Sequence, residues 1–405
     1  MNGLALSLSR GIARVTGSAL GPYQTATVRI GFSATWLLFL LREIPHRHEL
    51  YGPDGPWSRE LAEQLISDNG AFTALMWWDG AAWFEAVYAL SVLSSVLLLL
   101  GWRTRTTSVL FMVGVLSLQN RSIFMGDGGD NVLHLMSIYL VLTRCGRVWS
   151  LDARRARRAG EARARGERVV DRTGPALWTV LGFALFLVTL AGRLDGDLFV
   201  PALLWAVWSA QGLWWAVGRW ARSGQPRILL DVVADIVHNG ALLVIMAEAC
   251  LIYATAGWYK IQGSRWQDGT AVHYPLHLDY FSPWPGLSEV LAANGTMVML
   301  ITYGTVAVQV AFPFTLFNRR VKNVLLAAMI TEHAVIAVAL GLPFFSLAMI
   351  AADAVFLPTS FLRRLGGWAA RARGRLVRRG GGPGKVPAPR GAREDAGQAH
   401  VGFTA

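Results

Sequence analysis

The sequence predicts an all-α polytopic membrane protein, a bundle of about ten transmembrane helices with both the N and the C terminus in the cytoplasm. Three observations lead to this fold class. Of the 405 residues, 53% are hydrophobic and only 16% are charged, which is too apolar for a soluble domain of this size. The chain contains 17 Trp, a residue that gathers at membrane interfaces. Long apolar segments alternate with polar connections along the whole chain.

The apolar segments divide the chain into three parts. Residues 1–25 are rich in Gly, Ser and Thr and form a cytoplasmic lead-in, and residues 26–362 form the transmembrane domain. Residues 363–405 are rich in Arg, Gly and Pro, which predicts a disordered basic cytoplasmic tail. The ten predicted spans are residues 26–42, 81–100, 107–120, 131–144, 175–193, 198–219, 229–256, 297–316, 323–341 and 344–362.

Polar and helix-breaking residues set the ends of the longer connections. The first span ends at Arg42, and Arg29 near its start is expected to extend its charge to the membrane interface. Residues 43–80 form a loop rich in Pro, Gly and aromatic residues, with a short helix predicted near 58–68. An aromatic loop that three prolines interrupt, residues 257–296, separates the seventh and eighth spans.

Shorter connections separate the other spans. Gly101 opens a basic turn after the second span, and Asp127 to Asn131 precede the fourth. A turn at 195–197 lies between the fifth and sixth spans, and Gly341-Leu342-Pro343 turns the chain into the last one. The third and fourth spans are short for a hydrocarbon core about 30 Å thick.

The distribution of basic residues predicts the orientation and the partners. With the N-terminus in the cytoplasm, every basic cluster falls on the cytoplasmic side, including the Arg-rich segment 145–174. The net charge is +12, which can indicate nucleic-acid binding. Here the charge lies between apolar segments, and the tail lacks an aromatic or helical reading surface, so no nucleic acid is expected. The expected partner is the lipid bilayer of a plasma (inner) membrane, which the chain crosses several times.

Several common types of site are excluded by the sequence. Cys145 and Cys250 are expected on different sides of the membrane or at different depths, so no disulfide is implied. His273 and His277 have the spacing of two ligands on a helix, but Pro275 between them breaks such a helix, so no metal site is predicted. The sequence contains no P-loop, no nucleophile elbow and no dinucleotide-binding fingerprint.

One lysine is unusual in a chain that nearly always uses arginine. Lys260 is one of three lysines and follows the seventh span. Lysine can release its proton when it is removed from water, whereas arginine cannot. A lysine at this position could therefore act as a base. The alternative is an anchor that reaches the interface from a helix end, and for Lys260 alone the anchor is the favoured interpretation.

Ionisable residues also lie within the predicted spans, where they usually face the bundle interior. They could relay protons in a transporter, or they could surround an outward pocket of an enzyme together with Lys260. The third interpretation is that they join helices by hydrogen bonds, which is favoured for any one of them. The set consists of Glu85, His134, Asp231, Asp235, His238, Glu248, Glu332, His333 and Asp353.

Three blocks of the sequence carry a resemblance to a known family. The first is Ala-Gly-Trp-Tyr-Lys at 256–260, followed by Trp266, Asp-Gly at 268–269 and His-Tyr at 273–274. The second is Gly-Asp-Asn at 129–131, at the start of a helix. The third is His333 followed by Leu-Gly-Leu-Pro-Phe-Phe-Ser-Leu-Ala-Met at 340–349. Taken in their order along the chain, the blocks resemble the HTTM family, the transmembrane domain shared with vitamin K-dependent gamma-carboxylase.

The resemblance implies a specific chemistry. In the carboxylase branch, a lysine at the position of Lys260 acts as base on a reduced vitamin K-type quinol such as menaquinol. Oxygen then yields the epoxide and a strong transient base, which removes a glutamyl γ-proton before carbon dioxide adds. Exclusion of water protects such a base. The implied catalytic residues are Lys260, His333, Asp130 and Asn131. The implied cofactor-binding residues are Trp258, Tyr259, Trp266 and Tyr274.

Two departures from the carboxylase leave the function open between classes. Asp130 or Asn131 stands where the carboxylase has a histidine, and only a short basic tail follows the last span, where the carboxylase has a large peptide-binding domain. The first hypothesis is a quinol-linked modifying enzyme, a carboxylase-like lyase or oxidoreductase with Lys260 as base. The alternatives are a non-catalytic membrane partner of a secreted or membrane protein, and a small-molecule or proton-coupled transporter.

Overall fold

The computed structural model describes residues 2–194, 198–221 and 224–380, and within these ranges the regular structure is entirely helical. Short 3-10 segments join several of the α-helices. The α-helices are α1 (Asn2–Gly17), α2 (Pro22–Arg42), α3 (Arg47–Tyr51), α4 (Arg59–Asn69), α5 (Ala81–Leu100), α6 (Thr104–Arg121), α7 (Gly128–Leu142), α8 (Leu151–Ala164), α9 (Thr173–Leu190), α10 (Phe199–Trp220), α11 (Gln225–Gln262), α12 (Ser264–Gln267), α13 (His273–Leu276), α14 (Pro285–Ala292), α15 (Gly295–Ala311), α16 (Arg319–Ala339), α17 (Pro343–Asp353) and α18 (Thr359–Gly380).

Five of the described helical segments are long and apolar enough to cross a membrane: α5, α9, α11, α16 and Gly295–Thr315, which contains α15. A sixth results if Pro343–Phe356 and Thr359–Ala372 form one bent span. Nine of the ten predicted spans each overlap one α-helix, but the tenth, 344–362, covers α17 and the start of α18, with a bend of 117° between Pro343–Phe356 and Thr359–Ala372. Helix α7 has 15 residues and α17 has 11, fewer than the roughly 20 that a span needs. The helices are compatible with an integral membrane protein, whereas ten spans and the orientation of the termini are not confirmed.

The core lies around α2, which packs against α5 and α17, while α6 packs between α5 and α7. Phe32, Trp36 and Leu40 of α2 are fully buried there, together with Phe111 of α6 and Met136 of α7. Aromatic side chains supply a large apolar contact area in such a core. These five helices, α2, α5, α6, α7 and α17, therefore form the packed centre of the bundle.

The expectation that Arg29 extends to the interface is wrong, because its side chain is completely buried. Its guanidinium donates to the carbonyl oxygens of Leu98 (2.5 Å), Leu99 (3.0 Å) and Trp149 (2.9 Å). The last carbonyls of a helix have no partner within the helix, so Arg29 supplies donors to the end of α5. Gly101 completes this end with φ of +69°, and a Cβ there would lie 2.6 Å from Arg29 Nη1.

The seventh predicted span carries a stripe of ionisable residues at i, i+4 and i+7, formed by Asp231, Asp235 and His238, and this stripe joins three parts of the chain. Asp235 accepts from Arg144, which also donates to Asp231 at 3.2 Å. His238 is buried, and its Nδ1 accepts from the backbone N–H of Arg144 at 2.8 Å. Its Nε2 lies 2.8 Å from the carbonyl oxygen of Leu20 and donates to it. Both ring nitrogens are therefore occupied, so this stripe works as interhelical packing.

The two ends of the chain differ from the predicted boundaries. The lead-in contains α1, and the predicted short helix near 58–68 is confirmed as α4. Helix α18 extends to Gly380, so residues 363–380 are helical where a disordered tail was expected. The chain divides into two units after Leu362. The rest of the predicted tail, residues 381–405, and the turn at 195–197 lie outside the described residues.

The ion pair in front of α9 gives a prediction about pH. The guanidinium of Arg103 donates to both carboxylate oxygens of Asp171 and lowers the pKa of Asp171 to about 2. A carboxyl whose pKa falls on folding stabilises the protein above its ordinary value of 3.8 and loses that contribution as the pH falls towards 2. Asp171→Asn should therefore lower the melting temperature at neutral pH, by less as the solution is acidified below about pH 4.

Thermal unfolding of the two proteins over a pH series measures this difference. The exposed Asp68→Asn in α4 removes the same charge without an ion pair to Arg103 and serves as the control. A difference between Asp171→Asn and the unchanged protein that stays constant down to about pH 3 would contradict the assignment.

Candidate functional site

Lys260 lies in the last turn of α11, partly buried between helices rather than extended into solvent. Its Nζ donates to Oε1 of Gln309 on α15 at 2.5 Å. On its other side, Nζ lies 5.1 Å from the ring centroid of Trp266, a distance at which an aromatic face attracts a cation. Gly257, one turn earlier, permits this arrangement, since a Cβ there would lie 2.6 Å from Val310 Cγ2.

Gln309 links Lys260 to a glutamate on a third helix. The amide Nε2 of the buried Gln309 donates to Oε1 of Glu332 on α16 at 2.7 Å. Among the described residues, no carboxylate lies within salt-bridge distance of Lys260. The amide therefore separates two opposite charges that would otherwise form an ion pair, and a direct ion pair would hold the lysine in its charged form.

His333 is adjacent to Glu332 and faces a different set of helices. Its Nε2 lies 3.1 Å from the hydroxyl of Tyr253 on α11, and that hydroxyl donates to Oδ2 of Asp353 on α17 at 3.1 Å. All three side chains are buried. Since the single hydroxyl proton goes to Asp353, the His333 Nε2–H donates to the Tyr253 oxygen. The outer atoms of this chain, His333 Nδ1 and Asp353 Oδ1, have no partner within the described part of the protein.

Asp130 and Asn131 lie at the start of α7 and not beside Lys260. Asp130 and Asp127 form a capping box: Asp127 Oδ1 accepts from the Asp130 backbone at 3.1 Å, and Asp130 Oδ2 accepts from the Asp127 backbone at 2.9 Å. Asn131 is exposed. In the described part of the chain, neither makes a hydrogen bond or ion pair to Lys260. The geometry thus gives Asp130 a role in beginning a helix.

The second and third sequence blocks do meet, at a cavity of about 240 Å³. Asp130, Gly341, Pro343 and Phe345 line it. A Cβ on Gly129 would lie 2.7 Å from Phe345 Cα, so α7 begins directly against α17. The Phe345 ring also meets the His333 ring edge-on at 5.5 Å between centroids. His333 therefore lies behind the cavity wall, whereas Lys260 does not line this cavity.

The four predicted cofactor-binding aromatics do not form one pocket. Trp266 faces Lys260, and Tyr274 packs with the Arg265 guanidinium at 4.9 Å from its ring centroid. Trp258 and Tyr259 are 61% and 74% exposed. Successive residues on a helix point about 100° apart, so Trp258 and Tyr259 turn to the outside of the bundle as Lys260 turns inward.

Two important neighbours escaped the sequence argument. Gln309 is a single polar residue in an apolar segment. Tyr253 lies seven residues before Lys260, a spacing that places Tyr253 and Lys260 on one side of α11. An amide or phenol inside an apolar helix is a usable signal, because such groups need a partner away from water.

The remaining site types and the comparisons add no further assignment. His277 Nδ1 donates to the carbonyl oxygen of His273 at 2.8 Å, and within the described residues no group of three or more His, Cys, Asp or Glu is arranged to hold a metal ion. Cys145 and Cys250 are free thiols. Comparison of the chain with protein-family models, curated proteins and solved structures finds no match.

Proposed function

We propose that this chain is a multi-pass protein of a bacterial inner membrane, related to the HTTM family, in which Lys260 exchanges a proton with a weak organic acid that arrives from the bilayer. The proposal includes ten spans with both termini in the cytoplasm, because that topology collects the basic clusters on one side. It makes the protein a membrane enzyme that uses a lysine base.

The contacts of Lys260 carry the proposal. An anchoring lysine extends its ammonium group into water, but Lys260 is partly buried and donates to the buried Gln309. A base must also be able to lose its proton, and the amide between Lys260 and Glu332 prevents a direct ion pair. Glu332 still lies close enough to stabilise the ammonium group after it has taken up a proton.

Two of the predicted residues, Lys260 and Trp266, are placed to contact the ring of a quinol. Trp266 provides a flat aromatic wall and Lys260 a base, so these two would contact a vitamin K-type quinol. Trp258 and Tyr259 face outward and would meet only its apolar chain in the bilayer. A bound quinol would supply an acidic hydroxyl group and two reducing electrons. The protein's own contribution is to hold Lys260 away from water and to receive the proton on Nζ.

Lysine labelling as a function of pH tests this proposal. The protein, purified in detergent, is treated with a neutral amine-reactive reagent from about pH 6 to about pH 10, and mass spectrometry reads each lysine with and without a menaquinol analogue. We expect Lys260 to react at a clearly lower pH than Lys385, which lies outside the described residues. We also expect the analogue to protect Lys260 and to leave Lys385 unprotected.

Two variants test whether the Lys260 contacts, and not the fold as a whole, are responsible for these results. Gln309→Leu removes the amide that holds Nζ and should change the pH profile of Lys260 labelling. Lys260→Arg keeps a positive charge that cannot be lost. In this variant, the analogue should no longer stabilise the protein against thermal unfolding. If Lys260 follows Lys385 at every pH and the analogue has no effect, Lys260 is an anchor, and the non-catalytic membrane partner becomes the better proposal.

A second function is supported by the buried chain of His333, Tyr253 and Asp353. Three hydrogen-bonding groups in series with open outer atoms can pass a proton from the imidazole to the carboxylate through the hydroxyl. Such a chain is typical of a proton-coupled transporter. Proton uptake into proteoliposomes tests this function. Tyr253→Phe should stop the uptake, whereas Lys260→Arg should leave it unchanged.

A further inference from the structure

A second cavity, larger than the one that Phe345 lines, lies where α6 and α9 begin and where α7 and α10 end. It has a volume of about 610 Å³, and five arginines and three tryptophans are among the residues that line it. We call it the basic cavity. One wall is fixed by the stacked rings of Trp178 and Trp208, 4.4 Å apart, each of which donates its indole N–H to the other's carbonyl oxygen. Of these two residues, Trp178 lines the cavity and Trp208 supports it from behind.

The arginines of the basic cavity differ in how their charge is balanced. Arg103 is paired with Asp171, and Arg155 lies 3.1 Å from Asp152. Arg105 is exposed to the cavity and has no carboxylate within salt-bridge distance in the described part of the chain. The other lining arginines, Arg144 and Arg147, share acidic residues of α11. The cavity thus has a surplus of positive charge.

Three guanidinium groups converge on a single tryptophan. The guanidinium carbons of Arg105, Arg227 and Arg144 lie 4.4, 4.7 and 5.5 Å from the ring centroid of Trp214. The ring face attracts each of them. Asp231 accepts from Arg144 at 3.2 Å and from Arg227 at 2.9 Å and balances those two charges, so the charge of Arg105 is the one left unbalanced. An anion with several oxygens would balance it and accept hydrogen bonds from the planar guanidinium group.

We propose that the basic cavity binds a phosphate-bearing anion, with Arg105 as the main donor to its oxygens. The tryptophans beside the arginines add an apolar wall, so an amphiphile with a phosphate headgroup matches both surfaces. The cavity also lies where the apolar helix α9 begins, and in a membrane the ends of such helices stand at the level of the headgroups. An anionic phospholipid headgroup and a soluble phosphate compound share this chemistry.

Binding to the full chain in detergent tests the inference and separates the two sources. The probes are short-chain phosphatidylglycerol, short-chain phosphatidylcholine, inorganic phosphate and inorganic pyrophosphate. We expect Arg105→Gln to weaken binding of the anionic probe by about 10-fold, as for loss of one charge-assisted hydrogen bond, and Arg105→Lys to weaken it less. Arg158→Gln, which removes an equal charge from the exposed face of α8, should have no effect.

Arginine modification gives a second readout that needs no variant. The unchanged protein is treated with phenylglyoxal, and the ligand should protect Arg105 but not Arg158. Protection by phosphatidylglycerol alone supports a lipid headgroup as the occupant, and equal protection by phosphate or pyrophosphate supports a soluble phosphate compound. If none of the anionic probes protects Arg105, or if phosphatidylcholine does so equally well, the proposal is overturned.

Discussion

Replacing Arg29 with Met is expected to lower the free energy of unfolding by about 2–4 kcal/mol, because buried carbonyl groups lose their donors. Leu98 keeps one bond from the backbone of Gly101, but the carbonyl oxygens of Leu99 and Trp149 depend on the guanidinium. Met fills a similar volume, so the loss reports the hydrogen bonds and not a cavity.

The backbone near Arg29 adds to this effect. Trp149 has φ of 51°, a left-handed conformation that a bulky residue adopts only at a penalty of about 1–2 kcal/mol. Its carbonyl oxygen accepts from Arg29, so this bond helps to hold the strained turn before α8. Without it, we expect the turn to relax and the end of α5 to lose its packing against Ser150.

Thermal unfolding in detergent, followed by tryptophan fluorescence, measures the effect. The control is Arg158→Met, which makes the same change on the exposed face of α8 and should leave the melting temperature unchanged. Arg29→Lys should fall between the two, because an ammonium group keeps the charge but cannot reach three carbonyls in one plane. Equal melting temperatures for Arg29→Met and the control would show that the hydrogen bonds of Arg29 to the end of α5 and to Trp149 do not stabilise the fold.

Tyr253→Phe is expected to have the second largest effect, a loss of about 2 kcal/mol, although it removes a single oxygen atom. That oxygen joins His333 to Asp353, and both of these groups are buried. Without it, a carboxyl group and an imidazole lack partners in an apolar interior, which is more unfavourable than the loss of the bond itself.

A double variant separates the lost bond from the unpaired group. In Tyr253→Phe with Asp353→Leu, the unpaired carboxyl group is gone, so part of the stability should return. The exposed Tyr280→Phe is the control for loss of a phenol. Unfolding in detergent measures all of them. If Tyr253→Phe is as stable as the control, the hydroxyl is not the link between α11, α16 and α17.

The two functional proposals make opposite demands on these variants. An enzyme that depends on Lys260 should keep its pH profile of labelling in Tyr253→Phe, because the hydroxyl belongs to a different chain of hydrogen bonds. A transporter that depends on His333 and Asp353 should lose proton uptake in the same variant. The two measurements on one protein therefore distinguish the roles of the two polar groups.

The sequence by itself determined the helical fold class and the approximate positions of the apolar helices. Apolar segments of a membrane protein must satisfy their backbone internally, so their length and their flanking polar residues define helices locally. The same local reasoning singled out Lys260, and it separated the neighbours Glu332 and His333 onto different sides of their helix, as the structure has them.

Only the tertiary structure decided what each polar group contacts. Gln309 lies 49 positions from Lys260 in the sequence, and Asp353 lies 100 from Tyr253, so no local pattern relates them. Composition could not show that Arg29 is buried, because its partners are carbonyl oxygens that every residue possesses. For the same reason Asp130, which is chemically suited to a catalytic role, was found to cap a helix: its backbone partner is one turn away, whereas Lys260 packs with α15.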